Sequence, residues 1–210
     1  MEPEHTPELV QRFIASMSLD FERWHDGIGY DLEVLGRLSP EDKTEIARRL
    51  ALRDPLDWRD IEALAALDTM PARETLRQMG RAKSPQVKLW IARYAPECLD
   101  SQERTHALIG SLGSATIFSG LSEALDQVAE FHPPEVIEAL FRGALHRDGE
   151  SAVHFAAMLM YVHGQAAEPF DWELRTFFLT FHTEPGPLRE PPFIELCRRL
   201  NVDPRTWLGR

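Results

Sequence analysis

Residues 131–164 read FHPPEVIEALFRGALHRDGESAVHFAAMLMYVHG, which predicts two helices joined by one tight turn. Pro133 and Pro134 suit the first turn of a helix, where the missing N–H does no harm and φ is already set. Apolar residues then recur at helical spacing as far as Leu145 and form one stripe. Arg147-Asp148-Gly149 supplies the break, with a basic residue near the helix end and a glycine able to adopt a positive φ.

The second helix of this stretch is apolar around almost its whole circumference between Val153 and Val162. A helix of that kind has to be covered on several sides. We therefore expect it to lie at the centre of the fold and the other helices to cover it.

The rest of the chain predicts further amphipathic helices separated by short breaks. Ser39-Pro40, Asp57 and Ser84-Pro85 are typical helix starts, and Ser101 is a candidate N-cap. No segment sustains a period of two residues, so we predict an all-α fold without strands. Helix pairs recur at roughly 30 to 35 residues, which indicates stacked antiparallel helical hairpins of an α-solenoid.

We predict one compact domain with three parts. Residues 1–56 would form N-terminal capping helices and a loop, residues 57–164 the regular hairpins, and residues 165–210 the C-terminal capping helices.

A short echo joins two of the helix starts. Pro55-Leu56-Asp57-Trp58 and Pro169-Phe170-Asp171-Trp172 share a proline, an apolar residue, a capping aspartate and a tryptophan. Either repetition or shared capping chemistry accounts for the match. We expect both tryptophans to be buried at hairpin starts, with lining of a groove as the alternative, and a helix from Trp172 to Phe181.

The charge balance constrains the class of partner. The chain has 34 acidic and 23 basic residues among 210, a formal net charge of -11. Proteins bind nucleic acids and anionic membranes mainly through their Lys and Arg side chains. Because this chain is acidic, neither is expected as its partner. A basic protein fits better, and solubility alone is the other explanation of the charge.

The sequence has two cysteines and shows no targeting signal. Cys98 and Cys197 belong to no CxxC cluster, so neither a disulfide framework nor a zinc site is expected. The N-terminus lacks the basic and apolar regions of a signal peptide, and no apolar run reaches 18 residues. We expect a cytoplasmic protein.

The paired-helix rhythm of residues 57–164 resembles HEAT-like repeats, and Ser84-Pro85-Gln86-Val87-Lys88-Leu89-Trp90-Ile91-Ala92 reads as a hairpin start. This resemblance covers about half of the chain and implies an architecture. More loosely, the whole chain is similar to the small acidic bacterial helical-repeat proteins that often serve as immunity proteins for secreted toxins.

The segment from Trp24 to Asp31 is the most distinctive loop. His25-Asp26 is similar to the HD pair of metal-dependent phosphohydrolases, but no HxxxH or HExxH spacing supplies further ligands, so we expect no metal. The loop is either an ordered turn in which Asp26 and Asp31 cap backbone N–H groups, or a partner-facing surface.

We predict a non-enzymatic protein-binding module of the immunity type that neutralises a basic partner and carries no cofactor. The alternatives are a scaffold or assembly factor, or a nucleic-acid-processing enzyme on a HEAT-like frame, similar to the alkylpurine DNA glycosylases. No GxSxG elbow, Walker loop or activated cysteine supports catalysis. The predicted partner-binding residues are Trp24, His25, Asp26, Tyr30, Asp31, Asp57, Asp60 and Asp171.

Overall fold

A computed structural model describes residues 7–18, 28–82, 84–116 and 120–208. In these ranges the backbone is helical with connecting turns, and the sole β feature is an isolated bridge between Thr116 and Gly120. The all-α prediction is confirmed. None of the helices in the same ranges has the length and apolar character needed to cross a membrane.

The α-helices in chain order are α1 (Pro7–Ser16), α2 (Leu32–Leu35), α3 (Pro40–Ala51), α4 (Trp58–Leu67), α5 (Met70–Ala82), α6 (Pro85–Tyr94), α7 (Ser101–Ser114), α8 (Leu121–Glu130), α9 (Pro134–His146), α10 (Gly149–Val162), α11 (Arg175–Phe178) and α12 (Glu190–Leu200). Short 3₁₀ turns cover Pro96–Cys98, Trp172–Leu174, Leu179–Phe181 and Pro204–Thr206.

Side-chain caps fix most of the helix starts that the sequence predicts. Ser39 Oγ accepts the Asp42 N–H at 3.2 Å, and Ser84 Oγ accepts the Val87 N–H at 3.5 Å. At α7 the predicted cap is wrong, because Asp100 rather than Ser101 exchanges hydrogen bonds with Glu103 in a capping box.

Backbone contacts divide the chain into two compact units, Met1–Arg104 and Thr105–Arg210. The division falls inside the predicted hairpin segment 57–164, not at either of its ends. That the whole chain forms one domain stays a prediction.

In the first unit, α4 packs against α2, α3, α5 and α6. Its fully buried core includes Phe13, Ile46, Leu50, Ile61, Leu64 and Leu76.

The second unit is built around α10. This helix packs along α9 and also contacts α8, α11, α12 and the turn Leu179–Phe181. Its buried residues run from Gly149 to Met160 and include Phe155 and Leu159, which are fully covered. The prediction that this helix is covered on several sides is confirmed.

The break between α9 and α10 differs from the prediction in one respect. Asp148 caps α10 by accepting the Ser151 N–H at 2.9 Å, so Gly149 is the first helical residue and has no positive φ. Glycine is required there by close packing, since a Cβ would lie 2.9 Å from the Thr183 nitrogen. The positive φ occurs instead at Gly164, just beyond the end of α10.

Two arginines occupy the carbonyl ends of helices in the second unit. Arg189 is fully buried and donates to the Ala144 carbonyl at 2.8 Å, to Thr183 Oγ1 at 3.0 Å and to the Thr183 carbonyl. Arg147 donates to the Leu112 carbonyl at 2.6 Å and to the Ala115 carbonyl. Cations are favourable at helix C-termini, where the last carbonyls have no partner within the helix.

The single helix predicted from Trp172 to Phe181 is wrong. The chain forms a 3₁₀ turn, the one-turn helix α11 and a second 3₁₀ turn. Phe178 and Phe181 are fully buried, whereas Trp172 is 70% exposed. The tighter 3₁₀ winding changes which residues share a face, so the indole does not join the apolar stripe.

Two helical glycines of the second unit should respond differently to substitution by alanine. A Cβ at Gly143 would lie 2.8 Å from the Phe155 ring, whereas a Cβ at Gly113 would meet nothing within 4 Å. Overpacking costs about 1–3 kcal/mol, and replacing a helical glycine gains up to about 1 kcal/mol. We expect Gly143→Ala to lower the free energy of unfolding and Gly113→Ala to leave it unchanged or raise it, as measured by urea denaturation. Equal effects would contradict this packing.

Candidate partner-binding site

Three of the predicted partner-binding residues, Trp24, His25 and Asp26, lie outside the described residues. Their role stays a prediction. In the ranges that the structure describes, no three His, Cys, Asp or Glu side chains are grouped so as to hold a metal ion.

Tyr30 and Asp60 form a buried pair inside the first unit. The Tyr30 hydroxyl donates to Asp60 Oδ1 at 2.8 Å, Arg53 Nε lies 3.0 Å from the same oxygen, and the Asp57 N–H donates to Oδ2 at 2.8 Å. Asp60 is 0% and Tyr30 6% exposed. Burial raises the pKa of both groups, and the hydrogen bond to Asp60 further raises the pKa of Tyr30. These side chains therefore join α4 to the segment before α2 and face away from solvent.

Asp31 and Asp57 keep part of their surface and are held by arginines. Asp31 pairs with Arg12 at 2.7 Å and makes no side-chain cap, so the capping interpretation of Asp31 is wrong. Asp57 caps α4 through the Arg59 N–H and also contacts the Arg59 guanidinium. Arg59 is itself buried and donates to the Ile28 carbonyl at 2.9 Å.

A cleft of about 660 Å³ adjoins Asp31 in the first unit. Its lining includes Arg12, Ser16, Gly29 and Tyr30. Residues 19–27, which connect its two sides in sequence, are outside the described ranges, and we assign no ligand to this cleft.

The two tryptophans of the sequence echo have different surroundings. Trp58 is half-buried and stacks on Tyr94, with ring centroids 6.1 Å apart. Trp172 is exposed, so the expectation of burial is wrong for it. The shared feature is the cap, since Asp57 and Asp171 each accept the N–H of the residue two positions later.

Trp172 stands on a well-fixed turn in the second unit, residues 167–175, which we call the Trp172 turn. Asp171 accepts the Ala167 N–H at 3.1 Å and the Glu173 N–H at 2.9 Å, which closes the turn on both sides. Phe170 points inward, with its ring 5.4 Å from both the His154 and Phe178 rings. The indole is therefore presented outward from an anchored backbone.

The Trp172 turn also carries three carboxylates. Glu168 and Glu173 are exposed and Asp171 is partly exposed, while the Arg175 guanidinium lies 5.4 Å from the Trp172 ring. The sequence pointed to Asp171 but missed Trp172 and Glu173 as surface residues. Only the Asp171 cap was visible as a local signal, because the exposure of Trp172 depends on the 3₁₀ winding that follows.

Helix α8 carries a second acidic surface. Glu123, Asp126 and Glu130 are exposed, and no described residue forms an ion pair with them. From Thr105 to Phe141 the sequence contains five acidic residues and neither Lys nor Arg. The second unit therefore carries uncompensated negative charge on this helix.

The two thiols and the histidines of α10 and its C-cap have structural surroundings. Burial raises the pKa of Cys197 to about 11 and also raises the pKa of Cys98, so both are neutral thiols at neutral pH. His163 Nδ1 lies 2.8 Å from the Leu159 carbonyl, and burial lowers the pKa of His154. The cysteines fit the expectation that neither is an activated nucleophile.

Comparisons of the chain with protein-family models, with curated proteins and with solved structures return no match. What the chain binds must therefore be inferred from its own residues.

Removing the Tyr30 hydroxyl should destabilise the first unit. Tyr30→Phe takes one donor from the buried Asp60 carboxylate, and a hydrogen bond to a buried charged group contributes about 1–3 kcal/mol. Because the folded-state pKa of Tyr30 is raised, its contribution is complete below the ordinary tyrosine pKa of about 10 and is lost as pH rises further. We expect the variant to be less stable at about pH 8, and the difference from wild type to shrink in more alkaline buffer.

Tyr161→Phe is the matched control, since no described residue hydrogen-bonds to the Tyr161 hydroxyl. Urea denaturation across this pH range measures both variants. A Tyr30→Phe protein with wild-type stability at about pH 8 would contradict the role given to the buried pair.

Proposed function

We propose that this chain is a non-enzymatic protein-binding module of the immunity type, which binds and neutralises a basic protein partner such as a secreted toxin. The observation that carries the proposal is the Trp172 turn, where an indole that is 70% exposed shares a short segment with three exposed or partly exposed carboxylates.

Tryptophan is among the residues that contribute most to protein interfaces, because it buries a large rigid surface with little loss of conformational freedom. At Trp172 the supporting turn is fixed by two hydrogen bonds to Asp171 and by the inward Phe170 ring. A partner that covers the indole would therefore gain apolar burial without having to order the turn.

The net negative charge of the Trp172 turn favours a basic partner. Glu168, Asp171 and Glu173 can pair with Lys or Arg side chains at the rim of the contact, with Arg175 as the one opposing charge in the turn. The indole already has one cation, the Arg175 guanidinium, 5.4 Å from its ring. Acidic surfaces elsewhere, such as α8, would steer a basic protein toward the chain by long-range attraction.

Many of the arginines are engaged within the chain and leave carboxylates as the uncompensated surface charge. Arg48 and Arg49 share Glu45, and Arg198 and Arg199 share Glu195. These hydrogen bonds lower the pKa of each of the two glutamates to about 2, so both stay ionised and paired over the physiological range. The overall charge of -11 is consistent with a surface that attracts cations.

We also propose that the helices stack as HEAT-like antiparallel hairpins, and that the protein acts in the cytoplasm. The extended packing of α9 on α10 supports the first of these. Stacked hairpins offer an extended surface to a protein partner.

The test begins with affinity-tagged protein crosslinked in the source cells, identification of the bound protein and measurement of Kd for the purified pair. We expect a basic partner whose Kd rises steeply with salt, because exposed charge pairs are screened. Trp172→Ala should weaken binding by about 30-fold or more, as for a hot-spot residue. Leu52→Ala is the control, since Leu52 is 71% exposed and lies in the first unit.

The charge contribution and the immunity role have separate readouts. Glu173→Lys should weaken binding more than Glu33→Lys, which makes the same charge change at another exposed helix start. In cells, the partner alone should arrest growth, the wild-type chain should restore it and Trp172→Ala should not. A Kd that does not change with salt would contradict the proposed attraction between opposite charges. A partner that does not arrest growth would favour a scaffold or assembly role.

A further inference from the structure

An apolar groove of about 230 Å³ lies between α7 and α9 in the second unit. Its inner surface is formed by Ile109, Leu112 and Ala139 and by the glycines Gly113 and Gly143. The groove is separate in sequence from the Trp172 turn and is not part of the function proposed above.

The two glycines of the α7–α9 groove differ in whether packing requires a glycine. Gly143 is required by packing, because a Cβ there would meet the Phe155 ring at 2.8 Å. Gly113 is not, because the same Cβ would meet nothing within 4 Å and its φ is not positive. A helical glycine costs up to about 1 kcal/mol relative to alanine. At Gly113 neither a positive φ nor close packing accounts for this cost. The absence of a side chain there leaves the groove open.

The rim of the groove is basic in an otherwise acidic protein. Arg142 and His146 are exposed there, Arg147 completes the rim, and no carboxylate lines the groove. Arg147 donates to two carbonyls, and one of its nitrogens lies 3.9 Å from the Asp148 carboxylate, which does not line the groove. Arg142 places one nitrogen 2.6 Å from Glu138, and its guanidinium has further N–H donors.

The size of the groove favours a side chain over a small-molecule ligand. Pockets for small molecules usually span about 300–1,000 Å³, and 230 Å³ is below that range. One branched aliphatic or aromatic side chain, inserted from a protein surface, matches the volume. The basic rim complements a carboxylate next to that side chain, since a guanidinium donates well to carboxylate oxygens.

We propose that the α7–α9 groove is an anchor site for a protein partner, which inserts one apolar side chain and places an adjoining carboxylate beside Arg142 and His146. The preferred charge is opposite to that at the Trp172 turn. The groove would thus select an acidic, apolar element, and the two surfaces of the second unit would recognise different chemistry.

The test uses the full chain, labelled with ¹⁵N, and N-acetyl-L-leucine as the probe. We expect a saturable shift of the Gly113 and Gly143 amide signals at millimolar probe. N-acetyl-L-leucinamide, which lacks the carboxylate, should bind about 3- to 10-fold more weakly, as expected for one charge-assisted contact. Arg142→Gln should bring the two probes to similar affinities.

A variant that fills the groove provides the second arm. Gly113→Phe should abolish the shift at Gly143, while Gly113→Ala should retain it. The Cβ that both substitutions add meets nothing within 4 Å. Trp172→Ala should leave probe binding unchanged, which separates this site from the proposed interface. The absence of a saturable shift with wild type, or equal binding of the two probes, would overturn the proposal. Binding of octanoate without N-acetyl-L-leucine would also overturn it, in favour of a small amphiphile.

Discussion

The second unit depends on covering one helix that has no polar face. Ten of the fourteen residues of α10 are buried, so no orientation of this helix can place one side in water without exposing apolar surface. Helices α8, α9, α11 and α12 and the turn Leu179–Phe181 each contribute a contact to it. These elements place their apolar sides against α10, which itself has no polar side.

Arginines solve a second problem, which arises because helix ends carry carbonyls without partners. Arg189 and Arg147 donate to carbonyls at or beyond the ends of α9 and α7. In the first unit, the buried Arg59 donates in the same way to the carbonyl of Ile28, which lies outside the helices. A guanidinium offers several N–H donors in a planar arrangement, so one side chain can satisfy separate segments. The same contacts compensate a cation that would be costly to bury alone.

Features that depend on neighbouring residues could be predicted from the sequence, whereas features that depend on distant residues could not. The caps at Ser39, Asp57 and Ser84 form with atoms two or three positions away, and local pattern was enough. Asp60 looked like a surface acid, but its buried partner Tyr30 is thirty residues earlier. At Trp172 the exposure follows from a change of helical winding that apolar spacing does not specify. The groove beside Gly113 requires the relative placement of two helices.

Arg189 also determines how one surface loop can vary. Its guanidinium donates to both the carbonyl and the hydroxyl of Thr183, so the two ends of the exposed stretch Glu184–Leu188 are fastened to each other. The entropy of closing a loop grows only slowly with its length, by about 0.6 kcal/mol for each doubling. This stretch is therefore a site where evolution or an engineer could insert extra residues, such as an epitope or a second binding loop, while the helical core keeps its packing.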